Sequence, residues 1–230
     1  MYDLFITNKN YSSWSLRPWA LMRELGIPFT ERMVPFKPSA SAGVGTFGEI
    51  SPSGRVPCLR DGATIVWDSL AIAEYLAERH PGVWPGDARA RAWARCAAAE
   101  MHSGFGALRA VCPMSCGVRV RLHAVPEALA NELGRLGALW GEGLERFGGP
   151  FLAGGAFGAV DAFFVPVSFR IQTYGLTLPG PCLEYAARLR ELPSVRRWYE
   201  EGLAETWRDA DHEVEVGQAG VVVEDLRARA

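Results

Sequence analysis

Gly54–Leu76, with the sequence GRVPCLRDGATIVWDSLAIAEYL, predicts two short strands followed by a helix. Val56–Leu59 and Thr64–Trp67 have the apolar, β-branched character of strands. Residues 60–62 (Arg-Asp-Gly) lie between them and are a turn signal, so we expect the two strands to pair as an antiparallel hairpin. The rest of the stretch has apolar residues at helical spacing behind a capping residue, which gives the order ββα.

The residues before this stretch predict a βαβ unit. Tyr2–Thr7 and Phe29–Val34 are strand-like, and Trp14–Leu25 between them has apolar residues at helical spacing. Gly26 ends the helix, and a loop rich in Gly, Ser, Pro and Ala, Pro35–Gly54, leads to the hairpin. A strand, a helix and a strand in close succession favour a right-handed unit with parallel strands. Residues 1–80 are therefore expected to form one α/β domain.

A short linker at residues 81–86 is expected to lead into a second, all-α helical domain over residues 87–230. Of its predicted helices, Ala159–Tyr174 is strongly apolar and is expected at the centre of that domain. No pattern indicates a structure for the last twenty or so residues. The other predicted helices are Asp87–Val111, a helix that begins at Pro126 and ends near Phe147, Leu183–Arg190 and Ser194–Trp207.

Composition excludes several classes of protein. The net charge of −2 over 230 residues offers no concentrated basic face for nucleic acid. No apolar window reaches the roughly 20 residues that cross a bilayer, and the N-terminus has no signal-peptide pattern. We therefore expect a cytoplasmic protein with no membrane partner, and five reduced cysteines. Cys112, Cys116 and His123 match no usual ligand spacing, so no metal site is expected.

Two serines lie where a helix is expected to begin. Pro18 is tolerated only in the first turn of a helix, which places Ser12 and Ser13 in the loop that leads into it. Free N–H groups and the helix dipole favour an anion there, and a serine hydroxyl can donate to a thiolate and lower the pKa of the thiol. Both serines are also ordinary caps, and the pattern taken alone favours that role.

Two further motifs suit a peptide ligand. If the Val56–Pro57 bond is cis, the main chain of Val56 can pair with an extended peptide; a trans proline on an edge strand is the alternative. The amide and hydroxyl of Ser69 can hold a carboxylate at the helix start, and Asp68 can hold an ammonium group beside it. An ordinary helix cap is the alternative for this second pair.

Taken together, the three motifs resemble those of the glutathione S-transferase superfamily, over nearly the whole chain. The resemblance implies a thioredoxin-like N-terminal domain, with glutathione as co-substrate. A cis-proline loop would pair with its cysteinyl backbone, and an acid-Ser pair would hold its γ-glutamyl end. Arg55 or Lys37 would meet the glycyl carboxylate. The implied glutathione-binding residues are Trp14, Lys37, Arg55, Val56, Pro57, Asp68 and Ser69.

The serine motif is similar to that of one class in the superfamily. Ser12–Arg17 resembles the Ser-Ser-Cys-Ser-aromatic-Arg motif of the zeta class, in which the first serine, matching Ser12, stabilises the thiolate. Trp14 replaces the class cysteine, which puts the class isomerase activity in doubt. Ser13 is the alternative catalytic residue, and Tyr11 adjoins the site one position off the serine alignment.

Residues 101–105 and 108–109 resemble a helix motif of a bacterial subgroup of the superfamily, and this resemblance indicates residues of the acceptor pocket. Met101, Phe105 and Arg109 are spaced i, i+4, i+8 and would share one side of a helix, with Arg109 attracting an anionic group. A plain core role is the alternative for the first two. His102 lies off that stripe and is expected to be a packed or solvated histidine rather than a base.

The resemblance implies a bacterial, serine-type glutathione transferase. Glutathione would bind as its thiolate and attack a small electrophilic, hydrophobic acceptor, in a homodimer. The alternatives are a glutathione-dependent cis-trans isomerase of the maleylacetoacetate type and a non-catalytic glutathione-binding protein. A cysteine-type oxidoreductase is disfavoured, because no cysteine occupies residues 10–15.

Overall fold

A four-stranded mixed sheet organises the N-terminal part of the chain in the computed structural model, which describes residues 1–36 and 47–229. The edge strand β2 pairs with β1 in parallel, whereas β3 runs antiparallel to both β1 and β4. Leu4 and Ile6 alternate into the core, as one face of a half-buried strand requires. In the order β2-β1-β3-β4, the strands are β1 (Tyr2–Ile6), β2 (Phe29–Met33), β3 (Cys58–Asp61) and β4 (Thr64–Trp67).

Two helices complete this domain and confirm the predicted order of elements. Helix α1 (Ser13–Glu24) joins the parallel strands, and α2 (Ser69–Ala77) follows the hairpin. The prediction placed the first hairpin strand at Val56–Leu59, two residues too early, because Val56 and Pro57 remain outside the ladder. A proline has no N–H to donate to a strand neighbour.

The second part of the chain is mainly helical and is built around α6. Nearly every residue of this helix is buried, because its sequence is apolar all round, and it packs against α1, α3 and α7. Its contact with α1 brings the second part of the chain beside the start of α1. The helices are α3 (Ala88–Ser103), α4 (Gly106–Val111), α5 (Glu127–Phe147), α6 (Ala159–Tyr174), α7 (Gly180–Glu191), α8 (Pro193–Ala204) and α9 (Ala210–Ala219).

The single helix expected over Asp87–Val111 is wrong, because the chain breaks between α3 and α4. Gly104 is extended, and a Cβ at this position would lie 2.8 Å from the carbonyl oxygen of Glu100. Phe105 follows in the left-handed region at φ 54°, which is uncommon for a large side chain. Helix α3 therefore ends at Ser103, and α4 begins at Gly106.

A two-stranded antiparallel sheet corrects the expectation of an all-helical C-terminal part. It pairs β5 (Val118–Leu122) with β6 (Gly220–Asp225). Val221, Val222 and Val223 lie on β6, where β-branched residues are favoured. The described part of the chain contains no helix long and apolar enough to span a bilayer.

Candidate functional site

The starts of α1 and α2 border a cavity of about 350 Å³ together with the loop before β3. Six of the seven predicted glutathione-binding residues line this cavity. The seventh, Lys37, lies outside the described residues. Sequence reasoning missed Ser53 and Trp67, although Trp67 directly precedes the predicted Asp68. The six predicted residues are Trp14, Arg55, Val56, Pro57, Asp68 and Ser69.

The Val56–Pro57 peptide bond, which the sequence left open, is cis. Pro57 is buried and Val56 is half-buried at the cavity wall. Since the strand ladder begins at Cys58, the N–H and C=O of Val56 have no hydrogen-bond partner in the described part of the chain. They remain available to an extended ligand.

Asp68, rather than Ser69, is the cap of α2. One carboxylate oxygen accepts a hydrogen bond from the amide of Leu70 at 2.8 Å. The other, Oδ2, lies 3.4 Å from Nε2 of His102 on α3. Asp68 has φ 75° and ψ 135°, a strained conformation for a residue other than glycine, and such strain clusters at ligand sites.

A buried arginine supports Ser69. Nη1 of Arg17 donates to the Ser69 hydroxyl at 3.3 Å. The guanidinium lies 4.0 Å from the ring centroid of Trp14 and 4.8 Å from that of Phe163, and Arg17 is only 2% exposed. Burial, together with the nearby cations Arg170 and Arg109, lowers the pKa of Arg17 to about 9. Sequence reasoning included Arg17 in the serine motif but gave it no role.

The two serines at the start of α1 differ in their contacts. The Ser12 hydroxyl donates to Oγ of Ser15 at 2.8 Å and accepts from the Ser15 amide at 3.4 Å, so it caps the helix. The Ser13 hydroxyl makes no hydrogen bond to any residue that the structure describes. Both side chains are nearly buried, at 7% and 6% exposed, and line a second cavity of about 420 Å³.

The second cavity adjoins the first, because Trp14, Arg55 and Val56 line both. Arg109 and Arg170 also line it, together with Glu215 of α9. Most of its remaining wall is aromatic or apolar, and this part of the wall includes Tyr11, Phe36, Phe47, Pro113 and Met114.

Two predicted acceptor-pocket residues lie in the core instead. Met101 is fully buried and Phe105 is 5% exposed, and neither lines the second cavity. The expected stripe does not form because the helix breaks at Gly104 and Phe105, so that Met101 lies on α3 and Arg109 on α4. Arg109 alone of the three reaches the cavity wall.

His102 lies beside the site as a packed histidine and lines neither cavity. Its ring meets Trp14 edge-on at 5.3 Å, and its Nδ1 is buried without a partner among the described residues. Burial lowers the pKa of His102, the cations Arg17 and Arg109 lower it further, and Asp68 partly offsets them.

Tyr11 is engaged by the C-terminal segment. Its hydroxyl donates to Oε1 of Glu213 at 2.6 Å and accepts from Nη1 of Arg227 at 3.3 Å. Its ring stacks on His212 with centroids 5.0 Å apart. Burial and the bond to Glu213 raise the pKa of Tyr11 well above its usual value. A hydroxyl that already donates its hydrogen to Glu213 is a poor candidate for stabilising a thiolate, which leaves the two serines.

The domain and the site together define a thioredoxin-like ligand-binding domain joined to a helical part. Residues 11–79 match the family model for the N-terminal domain of glutathione S-transferases. A segment of 61 residues is 36% identical to a dichloromethane dehalogenase of Methylorubrum extorquens, but it covers only 26% of this chain and 21% of that protein.

Solved structures agree over most of the chain. A glutathione transferase homologue from Burkholderia GL BGR1, with bound glutathione, has a TM-score of 0.64 at 24% identity, over 87% of this chain and 97% of that one. A theta-class enzyme from Xanthomonas axonopodis pv. citri, also with glutathione bound, has 0.62 at 24%, over 86% and 96%. At this identity the likeness shows the fold. The family match itself covers the N-terminal domain, residues 11–79.

Proposed function

We propose that this chain is a glutathione transferase that uses the thiolate of glutathione against a small electrophilic acceptor. The observation that carries the proposal is the pair of adjoining cavities, one lined by peptide-binding groups and the other largely by apolar side chains. The serines at the start of α1 line the second cavity and directly precede Trp14, which lines both.

Glutathione fits the first cavity in one direction. Its γ-glutamyl carboxylate would meet the Ser69 hydroxyl and the amide end of α2, where the helix dipole favours an anion. Its ammonium group would meet Asp68. The unpaired main chain of Val56 would hold the cysteinyl residue, and Arg55, exposed at the rim, would hold the glycyl carboxylate. This direction leaves the sulfur beside α1.

The thiolate would be stabilised by the start of α1 and by a serine hydroxyl. Class resemblance favours Ser12, whereas the contacts favour Ser13, whose hydroxyl has no partner among the described residues. We therefore propose Ser13 as the donor and Ser12 as the cap. Lowering the thiol pKa of about 8.5 by one to two units raises the thiolate fraction about tenfold or more at neutral pH.

Calorimetry with glutathione tests the proposal. The wild-type chain is expected to bind, and Ser69→Ala and Asp68→Asn are each expected to weaken binding at least about tenfold, since each removes a hydrogen bond to a charged group. Ser103→Ala, on the exposed end of α3, is the matched control. Absence of binding to the folded protein would refute the site. Binding without conjugation of chlorodinitrobenzene or any isomerisation would favour a non-catalytic glutathione-binding protein.

We also infer a cytoplasmic homodimer. The resemblance supports the dimer, and the exposed apolar side chains Ile65 and Trp67 on strand β4 offer a surface that a second copy would cover. The five free cysteines support a reducing compartment. Light scattering coupled to gel filtration tests the dimer, and a monomeric mass at micromolar concentration would contradict it.

A further inference from the structure

We propose that the acceptor carries an anionic group, a carboxylate or a group of similar charge, that binds Arg109 and Arg170 in the second cavity. The proposal rests on the proposed function, since it names the class of substrate that the transferase would use.

Arg170 is a buried cation at the cavity wall. It lies on α6, is 4% exposed, and donates to the carbonyl oxygens of Cys112 at 2.8 Å and Pro166 at 3.5 Å. It makes no ion pair with any residue in the described ranges. Burial lowers its pKa to about 10. A buried charge without a counter-charge is costly, and an anionic ligand would supply that counter-charge.

Arg109 has the same lack of a counter-charge. Its Nη1 donates to the carbonyl oxygen of Met101 at 3.2 Å, and its guanidinium lies 5.8 Å from the ring centroid of Trp14. Burial lowers the pKa of Arg109, and the carboxylate of Glu132 only partly offsets this effect. The oxygens of Glu132 already accept the amides of Ala107 and Leu108, at 3.1 and 2.7 Å. Arg109 therefore has hydrogen-bonding capacity left for a ligand.

The other charges around the cavity do not neutralise this pair. Glu215 is exposed on α9 and makes no ion pair with either arginine in the part of the chain that the structure describes. His212 is bonded to Asp209 at 2.6 Å, and Glu213 is paired with Arg227. Residues 37–46, outside the described ranges, contain no acidic side chain.

The two cavities also have more arginines at or near their walls than the proposed glutathione contacts use. Arg55 would serve the glycyl carboxylate, and Arg17 is buried behind Trp14, under Ser69. Arg109 and Arg170 remain in the acceptor part of the cavity, facing an apolar wall that includes Phe47 and Met114. An apolar electrophile with one anionic substituent matches this division of charged and apolar surface.

A matched pair of substrates tests the proposal: a chlorodinitrobenzoate and the corresponding chlorodinitrobenzamide. In both, the thiolate forms a C–S bond, the C–Cl bond breaks, and chloride leaves with the bonding electrons. The thiol proton goes to solvent. After correction for the uncatalysed rates, the wild-type enzyme is expected to prefer the acid by at least about tenfold in kcat/KM.

Variants assign the preference to the arginines. Arg109→Gln is expected to remove most of the preference, because kcat/KM should fall at least about tenfold more for the acid than for the amide, and Arg109→Lys is expected to keep part of it. Arg119→Gln is the matched control, because Arg119 is also half-buried and bonded to main-chain carbonyls but does not line the cavity. Arg170→Lys provides a second test that keeps the buried charge.

Three results would overturn the proposal. The first is equal kcat/KM for the acid and the amide in the wild-type enzyme. The second is a preference for the acid that Arg109→Gln retains. The third is that Arg109→Gln slows turnover of both substrates equally and raises the thiol pKa of bound glutathione, which would show that the arginines stabilise the thiolate instead. Calorimetry with an unreactive dinitrobenzoate, in the absence of glutathione, measures the anion site independently. Dinitrobenzoate binding without glutathione binding would refute the proposed function and leave the anion site standing.

Discussion

Arg17 is held by aromatic rings and a hydroxyl rather than by a carboxylate. A guanidinium over an aromatic ring gains electrostatic attraction that is largest where water is excluded, as between Trp14 and Phe163. This arrangement leaves the guanidinium charge unneutralised while it fixes the Ser69 hydroxyl. Arg17 therefore contributes a positive electrostatic potential to the first cavity, although its side chain does not line that cavity.

The two serines can be separated by mutation. Ser13→Ala is expected to lower turnover about a hundredfold and raise the thiol pKa of bound glutathione, since it removes a hydrogen bond to a developing charge. Ser12→Ala is expected to cost about 1 kcal/mol of unfolding free energy, through loss of the cap, with a smaller effect on turnover. Thiolate absorbance titration and urea unfolding measure the two effects. The reverse pattern would restore the assignment that class resemblance gave to Ser12.

The contact between His102 and Asp68 predicts that the affinity for glutathione decreases at acid pH. Because its folded-state pKa is lowered, the neutral ring is favoured, and the stability it contributes is lost as the pH falls through that pKa. Once protonated, His102 would pair with Asp68 and compete with the glutathione ammonium group. Affinity should fall in the wild type as the pH drops below the ordinary histidine pKa, and it should fall less in His102→Gln. Calorimetry from about pH 5 to 8 measures this, and identical profiles would contradict it.

Sequence reasoning found those site residues that lie near one another in the chain. Val56 and Pro57 directly precede β3, and Asp68 and Ser69 lie where α2 begins, so all four belong to short motifs at the ends of elements with a local pattern. Arg170 reaches the site, and His102 lies beside it, through the packing of α3 and α6 against the N-terminal domain, and no local pattern marks such a contact. The functional roles of the predicted residues stay predictions.

At the scale of elements, the start of α6 depends on one buried carboxylate. Oδ1 of Asp161 accepts the amide of Leu152 at 3.0 Å and the hydroxyl of Tyr185 at 2.8 Å, and Oδ2 accepts the amide of Gly158 at 3.0 Å. These bonds satisfy the helix start, where glycine provides no capping side chain. The side chain also ties the preceding loop to α7.

Asp161→Ala should therefore destabilise the fold strongly. Three buried donors lose their acceptor, and each unsatisfied donor costs about 1–3 kcal/mol, so the free energy of unfolding should fall by at least about 3 kcal/mol. Urea unfolding measures the change. The control is Asp87→Ala, which removes the exposed cap of α3 and should cost much less. Equal decreases in the free energy of unfolding in the two variants would show that burial of the carboxylate does not determine the cost of removing it.

The elements that sequence reasoning missed depend on distant partners. The bounds of α6 were predicted from its continuous apolar run, and the βαβ and ββα order from short-range periodicity. Strand β5 has no neighbour within its own region of sequence and pairs with β6 near the end of the chain. Non-local pairing of this kind has no local signature, and the break at Gly104 depends on a close approach to the main chain of Glu100.

At the scale of the whole molecule, the C-terminal segment closes onto the site. Arg227, 5% exposed in its side chain, pairs with Glu213 at 3.0 Å and with Asp225 at 2.8 Å, and also donates to the Tyr11 hydroxyl. The amide of Leu226 donates to the carbonyl oxygen of Gly117 at 2.9 Å. One arginine thus joins α9, the end of β6 and the loop before α1.

Arg227→Gln should loosen the two-stranded sheet and the cavity wall together. Loss of both ion pairs frees the end of β6, so amides in Val118–Leu122 should exchange with deuterium at least about tenfold faster, equivalent to about 1.4 kcal/mol. Arg229→Gln, a change at an exposed arginine without an ion pair to any described residue, is the control. Hydrogen–deuterium exchange with mass spectrometry measures both variants. If β5 keeps its protection in Arg227→Gln, the sheet is held by strand pairing alone, and Arg227 serves only to orient Tyr11.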